Sequence, residues 1–373
     1  MNKKKFLFLT LNIFSATGGI EKVCKIVAKA IQEIAIEENV KYAVYSMHDS
    51  IKNFDKRYID INCFKAFNKQ KLYFSSHALK QGVCSDIIIL SHVNLILFGS
   101  LIKLIVPSKK VVLFVHGIEV WGALPYWKKI LINKFNTIIC VSNYTKNIMV
   151  EKHKIKEAKC HVLNNCIDPF LQYVPITKNE TELKAKFNLQ PTDFILLTVS
   201  RLSTHDRDKG IDKVLLALKQ LIKQYPNLKY LVIGKYQLSE KKWLDDIISE
   251  YGLQKNVSIV GYVTDDELIN YMNLSDIYIM PSKKEGFGII FIEALFFEKP
   301  VIAGNVDGSV DALANGEFGV LVNPDSNEEI VNAIKSIMLN KEKYIPNHVR
   351  VLEKFGYKSY KKSLQALLES SNN

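Results

Sequence analysis

A chain of 373 residues exceeds the ~250–300 at which single cores stop growing, so two domains are predicted. Hydrophobic content of 48% indicates a soluble globular protein, and six cysteines without a CxxC pair exclude a recognised zinc spacing and favour reduced cytosolic thiols. The net charge of +12 is uneven: residues 1–168 carry 25 Lys/Arg against 12 Asp/Glu and residues 169–373 carry 25 against 26, which points to an anionic partner for the first half.

The opening Met1-Asn2-Lys3-Lys4-Lys5 before Phe6-Leu7-Phe8-Leu9 imitates a signal peptide. Thr10 and Asn12 break the run and no cleavage site follows, so Lys5–Thr10 is predicted as a buried strand. Gly18-Gly19 closes a loop, and Ile20, Val23, Ile26, Val27, Ala30, Ile31 and Ile34 recur at helical spacing. Further strands are predicted at Val40–Tyr45, Ile87–Leu90, Val111–Val115, Thr137–Val141 and His161–Leu163. The run Leu95–Val106, interrupted by Gly99, Ser100 and Lys103, is short of the ~20 residues that cross a bilayer. After a polar stretch at 169–190 a second cycle begins, with strands at Phe194–Ser200, Leu231–Gly234, Ile277–Met280 and Pro300–Ala303. Helices lie between, and Thr264-Asp265-Asp266-Glu267 and Ser326-Asn327-Glu328-Glu329 have the pattern of capping boxes. Strand–helix alternation implies parallel sheets, and ligands of such sheets bind at strand carboxyl ends.

The motifs fall at those ends. Glu285 and Glu293 stand eight positions apart around Gly286-Phe287-Gly288-Ile289, just after a strand. A glycine loop opening a helix offers backbone N–H groups and a dipole to a phosphate. Glu285 is placed in the loop and Glu293 about two turns into the helix, both able to hold hydroxyls. Arg201 ends a strand and Lys209 precedes a helix, so both cations can face one diphosphate. Thr17-Gly18-Gly19-Ile20-Glu21 gives a second close backbone approach. His116 ends a first-half strand, and His92 is a weaker candidate of the same kind. Asp206-Arg207-Asp208 imitates an Asp-x-Asp metal motif, but with two cations beside it we read it as loop and expect no metal and no cofactor.

These segments together resemble the retaining glycosyltransferases of family 4. The paired glutamates, the Gly-Gly-x-Glu loop and the Arg-Leu…Lys-Gly element carry the resemblance, the last with spacing two residues longer than the commonest form. Asn164-Asn165-Cys166-Ile167-Asp168 is similar to a hinge segment with Cys166 in the usual glycine position, and Asp311 takes the place of a commoner glutamate. The resemblance implies the GT-B fold, two doubly wound Rossmann-like domains facing a cleft. These are an acceptor domain at 1–168, a linker at 169–190 and a nucleotide-sugar domain at 191–356, with a helix at about 357–373 packing back on the first domain. It implies catalytic roles for His116, Arg201, Lys209 and Glu285. Donor binding would involve Gly18, Gly19, Arg201, Lys209, Glu285, Phe287, Gly288, Ile289 and Glu293.

The reaction implied is transfer of a hexose from a nucleoside diphosphate sugar to a glycan, lipid-linked at the inner face of the cytoplasmic membrane. A nucleotide-sugar epimerase and a non-catalytic binding scaffold remain alternatives. Two aromatic and basic segments, Phe64–Lys80 and Trp121–Lys134, are candidates to meet an anionic membrane. No nucleic-acid reading module is present, so that partner is disfavoured.

Overall fold

The computed structural model describes residues 4–173 and 179–370. The first three residues, 174–178 of the predicted linker and the last three residues of the predicted terminal helix lie outside them. The chain forms two compact α/β units, one of residues 1–169 with 355–373, the other of residues 170–354.

The first unit is built on seven parallel strands: β1 (Lys5–Thr10), β2 (Lys41–Ser46), β3 (Phe64–Ala66), β4 (Ile87–Leu90), β5 (Lys110–Val115), β6 (Thr137–Cys140) and β7 (Cys160–Val162). Their order is β3-β2-β1-β4-β5-β6-β7, so chain direction across the sheet reverses beside β1. Unbroken apolar runs such as Ile87–Leu90 are buried on both faces, as helix-covered parallel strands require. The helix Gly19–Glu37 buries the stripe from Val23 to Ala35. Against it packs the last helix, Tyr357–Glu369, burying Tyr360, Leu364 and Leu368. Lys110 Nζ donates to the carbonyls of Leu367, Leu368 and Ser370 at 3.0, 2.9 and 2.6 Å, satisfying a helix end that its own backbone cannot.

The second unit repeats the plan with β8 (Phe194–Val199), β9 (Leu228–Ile233), β10 (Val257–Gly261), β11 (Ile277–Met280), β12 (Val301–Gly304) and β13 (Val320–Val322), in the order β10-β9-β8-β11-β12-β13. Here the reversal falls between β8 and β11, where Arg201 and Glu285 follow their strands. Thr264 and Glu267 form the complete capping box. Ser326 accepts the Glu329 N–H, but the Glu329 carboxylate turns to Asn323 instead, so only half of the second box forms.

The segment Phe64–Lys80 corrects one expectation. Phe64, Phe67 and Phe74 are buried, because the short strand β3 and the helix Lys71–Val83 turn them into the sheet. Only Leu72 and Tyr73 of its large apolar residues stand exposed. Cys166, in the glycine position of the hinge segment, is buried without a left-handed backbone, so no glycine is needed there.

Gly234, just past β9, has φ +150°, and a Cβ there would lie 1.8 Å from the Ser200 carbonyl oxygen. Gly234→Ala is therefore expected to cost more than about 2 kcal/mol in urea unfolding, since both the conformation and the close approach oppose it. A midpoint equal to that of the parent would show the strand end to be looser than this geometry implies.

Candidate functional site

Three loops at the ends of β8, β11 and β12 converge in the second unit. From β8 the chain runs through Arg201 into a 3-10 turn, Thr204–Lys209, and then the helix Ile211–Leu221. Gly210 between them has φ +78°, and a Cβ there would sit 2.4 Å from the Pro281 carbonyl oxygen, so the β8 and β11 loops touch backbone to backbone. The Lys283 N–H donates to the Asp208 carbonyl at 2.8 Å. Lys209, only 9% exposed, sends its ammonium to the Lys284 carbonyl at 2.9 Å and to Glu285 Oε2 at 2.5 Å. Arg201 is exposed and touches Asp206 at 3.4 Å.

The β12 loop holds Glu285 in turn. The Glu285 N–H donates to Asp307 Oδ2 at 2.8 Å, and its carbonyl accepts the Gly308 N–H at 2.8 Å. Ser282 Oγ donates to Asp307 Oδ2 at 2.8 Å and the Ser309 N–H to Oδ1 at 2.9 Å. A Cβ at Gly308 would lie 2.0 Å from the Gly286 carbonyl oxygen, so only glycine lets the two loops close. Burial pushes the Asp307 carboxyl up to about 6; the Glu285 charge adds to this, and the bonds from Ser309 and Ser282 oppose it.

The helix after Glu285 starts at Ile289 and ends at Phe296. Gly288, at φ +83° with no side-chain cap, delays its start. Glu293 accordingly lies little more than one turn in, not two, and is buried. Phe287 is buried beneath the loop, and a Cβ at Gly288 would strike the Phe291 ring and Glu285 Cγ. The first amides of this helix lack a side-chain cap, which suits an anion.

The longer Arg201–Lys209 spacing is taken up by the 3-10 turn. Arg207 anchors it, with Nε and Nη2 on the buried Glu240 carboxylate at 2.9 and 2.8 Å and its guanidinium 4.2 Å from the Trp243 ring centroid. Asp206 accepts from Ser203 Oγ at 2.5 Å, and Asp208 serves through its carbonyl. Among the described residues no cluster of three or more His, Cys, Asp or Glu is disposed to hold a metal ion.

In the first unit the loop after β1 leads to Gly18 and Gly19 at the start of the helix Gly19–Glu37. Gly18 is extended, and a Cβ on it would meet the Glu21 carboxylate at 2.6 Å. Buried Asp49 organises this loop, accepting from the N–H groups of Ile13, Phe14 and Ser15 and the hydroxyls of Ser15 and Ser46 at 2.5–3.1 Å. His116, after β5, donates Nε2–H to the Ser91 carbonyl at 2.7 Å, which in the neutral ring leaves Nδ1 as acceptor. The Glu119 carboxylate takes the His116 N–H at 2.5 Å. His92 uses Nδ1 to accept the Asn94 N–H, and burial lowers its pKa.

Sequence reasoning passed over Asp49, Asp307, Ser282, Arg207 and Glu240. Ser282 and Asp307 do follow strands by only two or three residues, a signal that could have promoted them.

Comparison with known proteins shows the family to which the chain belongs. Residues 179–360 match the family described as Glycosyl transferases group 1, and residues 17–170 match Glycosyltransferase Family 4. The chain belongs to the family 4 glycosyltransferases of GT-B fold. A UDP complex of Anabaena Alr3699/HepE superposes with a TM-score of 0.81 at 20% identity, covering 98% of this chain and 100% of that one. The capsular polysaccharide biosynthesis glycosyltransferase CapM of Staphylococcus aureus is 29% identical over 203 residues, 54% of this chain and 52% of that protein. The alpha-monoglucosyldiacylglycerol synthase of Acholeplasma laidlawii is 27% identical over 177 residues, 47% and 42% of the two chains. The aligned part thus spans about half the length of such relatives.

For this glycosyltransferase the Asp307 carboxyl sets a pH dependence. Because the folded state holds the proton more tightly than the unfolded one, the stability it contributes is present below about pH 4 and lost as pH rises through about 6. Nucleotide affinity should run the other way, strengthening through the same range as the ionised carboxylate grips the Glu285 peptide. Asp307→Asn should flatten the stability trend in thermal unfolding from pH 4 to 8 and leave in UDP titrations only the dependence due to the terminal phosphate's own ionisation at about pH 6. Full pH dependence in the variant would remove Asp307 from the site.

Proposed function

We propose that the protein transfers a hexose, with retention, from a UDP- or GDP-linked sugar to a lipid-linked glycan of the cell envelope at the inner face of the cytoplasmic membrane. The observation that carries the reading is the Lys209 ammonium, fixed by Glu285 and the Lys284 carbonyl between two strand ends. An ammonium has three N–H donors. With two engaged here, the third is left for a phosphate oxygen. Arg201, exposed on the same loop, supplies the second cation, and the uncapped amides at Gly288-Ile289 supply backbone donors. Glu285 then meets sugar hydroxyls and Glu293 the ribose, with Phe287 holding the loop's shape. Gly18 and Gly19 admit a phosphate close to the backbone, and His116 offers Nδ1 to the sugar. The bond from the anomeric carbon to the diphosphate breaks while the acceptor oxygen bonds on the same face. The departing phosphate takes the acceptor proton, and Arg201 and Lys209 stabilise the charge that develops on it.

UDP and UDP-glucose complexes of the Anabaena protein support the donor class. The capsular and diacylglycerol activities of the two relatives support an envelope or lipid acceptor. No helix among the described residues is long and apolar enough to cross a membrane.

Arg201→Ala and Lys209→Ala should each lower turnover about 10²–10³-fold with folding intact, the scale of losing one preorganised stabiliser of developing charge. Near-parental rates in both would remove them from the mechanism. Because Lys209 and Arg201 together bring to the diphosphate the positive charge a metal ion would supply, activity should survive EDTA. Loss on chelation with recovery in Mn²⁺ would overturn that assignment.

A further inference from the structure

We infer that three neighbouring helices of the first unit form one docking face for an anionic bilayer. The inference rests on the lipid-linked acceptor proposed above and gives it a surface. The helices are Lys71–Val83, Ile96–Ile105 and Tyr126–Asn133, packed side by side with Ile96–Ile105 in the middle. In the middle helix Leu97, Leu101, Leu104 and Ile105 are all exposed, Leu104 at 77%. At 100° per residue they share an arc of about 100°. Its opposite side buries Ile96, Gly99 and Ile102 against the sheet. The run that is too short to span a membrane is thus a helix with an apolar face left in water.

Its neighbours extend that face. Tyr126, Trp127 and Ile130 are exposed on one side, Tyr126 at 79%, and Leu72 and Tyr73 on the other, Leu72 at 88%. A lone exposed leucine needs no explanation, but large apolar side chains exposed on three adjacent helices mark an interaction surface.

Charge chooses the occupant. The three helices carry Lys71, Lys80, Lys103, Lys128 and Lys129, and the acids of residues 61–150 are two, Asp86 and Glu119. Both acids are engaged, Asp86 with Lys109 and the Lys5 N–H, Glu119 with the His116 N–H. None of the three helices carries an acid. Lys128 lies over the Trp127 ring at 5.6 Å and Lys65 over the Tyr73 ring at 4.9 Å, placing cations beside the exposed aromatics. An apolar helix face with flanking aromatics and lysines fits the boundary between acyl chains and anionic headgroups. A protein partner would need acids and apolar groups in matching array, whereas a bilayer supplies both without register.

The test is sedimentation of the full chain with phosphatidylcholine vesicles and with phosphatidylcholine–phosphatidylglycerol vesicles, alongside donor turnover on a water-soluble acceptor. The parent should bind the anionic vesicles and release them in salt. Leu104→Glu and Trp127→Glu should each weaken binding at least about tenfold, because each places a carboxylate where apolar surface meets lipid. Replacing Lys128, Lys129 and Lys134 by Gln should weaken it about fivefold for each lysine that meets a headgroup. Turnover on the soluble acceptor should stay unchanged, so loss of docking and loss of catalysis are read separately. Equal binding to both vesicle types, no binding, or variants that bind like the parent would overturn the inference. So would a parental dimer in sedimentation velocity that the glutamate variants convert to monomer, which would make the face an interface between two copies.

Discussion

One residue, Glu285, organises the second unit's site. The Glu285 backbone is gripped on both sides by adjacent residues of the β12 loop, its N–H by Asp307 and its carbonyl by the Gly308 N–H. Its side chain holds Lys209 from the β8 loop. Three strand ends are thereby tied through one residue, and none of the three loops can shift without breaking a hydrogen bond in a partly buried setting, where unpaired groups cost about 1–3 kcal/mol. That rigidity matters because preorganised donors stabilise charge only where they already point.

The first unit solves the same problem with a different residue. Asp49 draws three successive amides and two hydroxyls onto one buried carboxylate and so freezes the loop that delivers Gly18 and Gly19. Both units thus use a buried aspartate just past a strand to fix a glycine-bearing loop. They differ in their surroundings: Asp49 meets two hydroxyls and three amides, while Asp307 faces the like charge of Glu285. Burial and that like charge push the Asp307 carboxyl up to about 6.

Much of this was legible in the sequence. Apolar runs bounded by charged or glycine-rich turns marked β1, β4, β8 and β11 to within a residue, because strands buried on both faces leave an unbroken signature. The short strands β3, β10 and β13 were not named, and aromatics read as surface at Phe64, Phe67 and Phe74 were core. Arg201, Lys209, Glu285 and Glu293 could be picked out because their residue types and strand-end positions imply charge chemistry. Asp307 and Asp49 were harder to see, for their role depends on which backbone amides converge on them from elsewhere in the chain. The start of the helix at Ile289 also escaped, as only the left-handed turn at Gly288 sets it.

The most direct test is a crystal structure of the protein with a UDP-hexose bound. The account predicts a phosphate oxygen about 3 Å from Lys209 Nζ and another on the first amides of the helix Ile289–Phe296. Glu285 and Asp307 should keep their present bonds in that complex. A diphosphate bound away from the ends of β8 and β11, with Lys209 still engaged only by Glu285 and the Lys284 carbonyl, would contradict it.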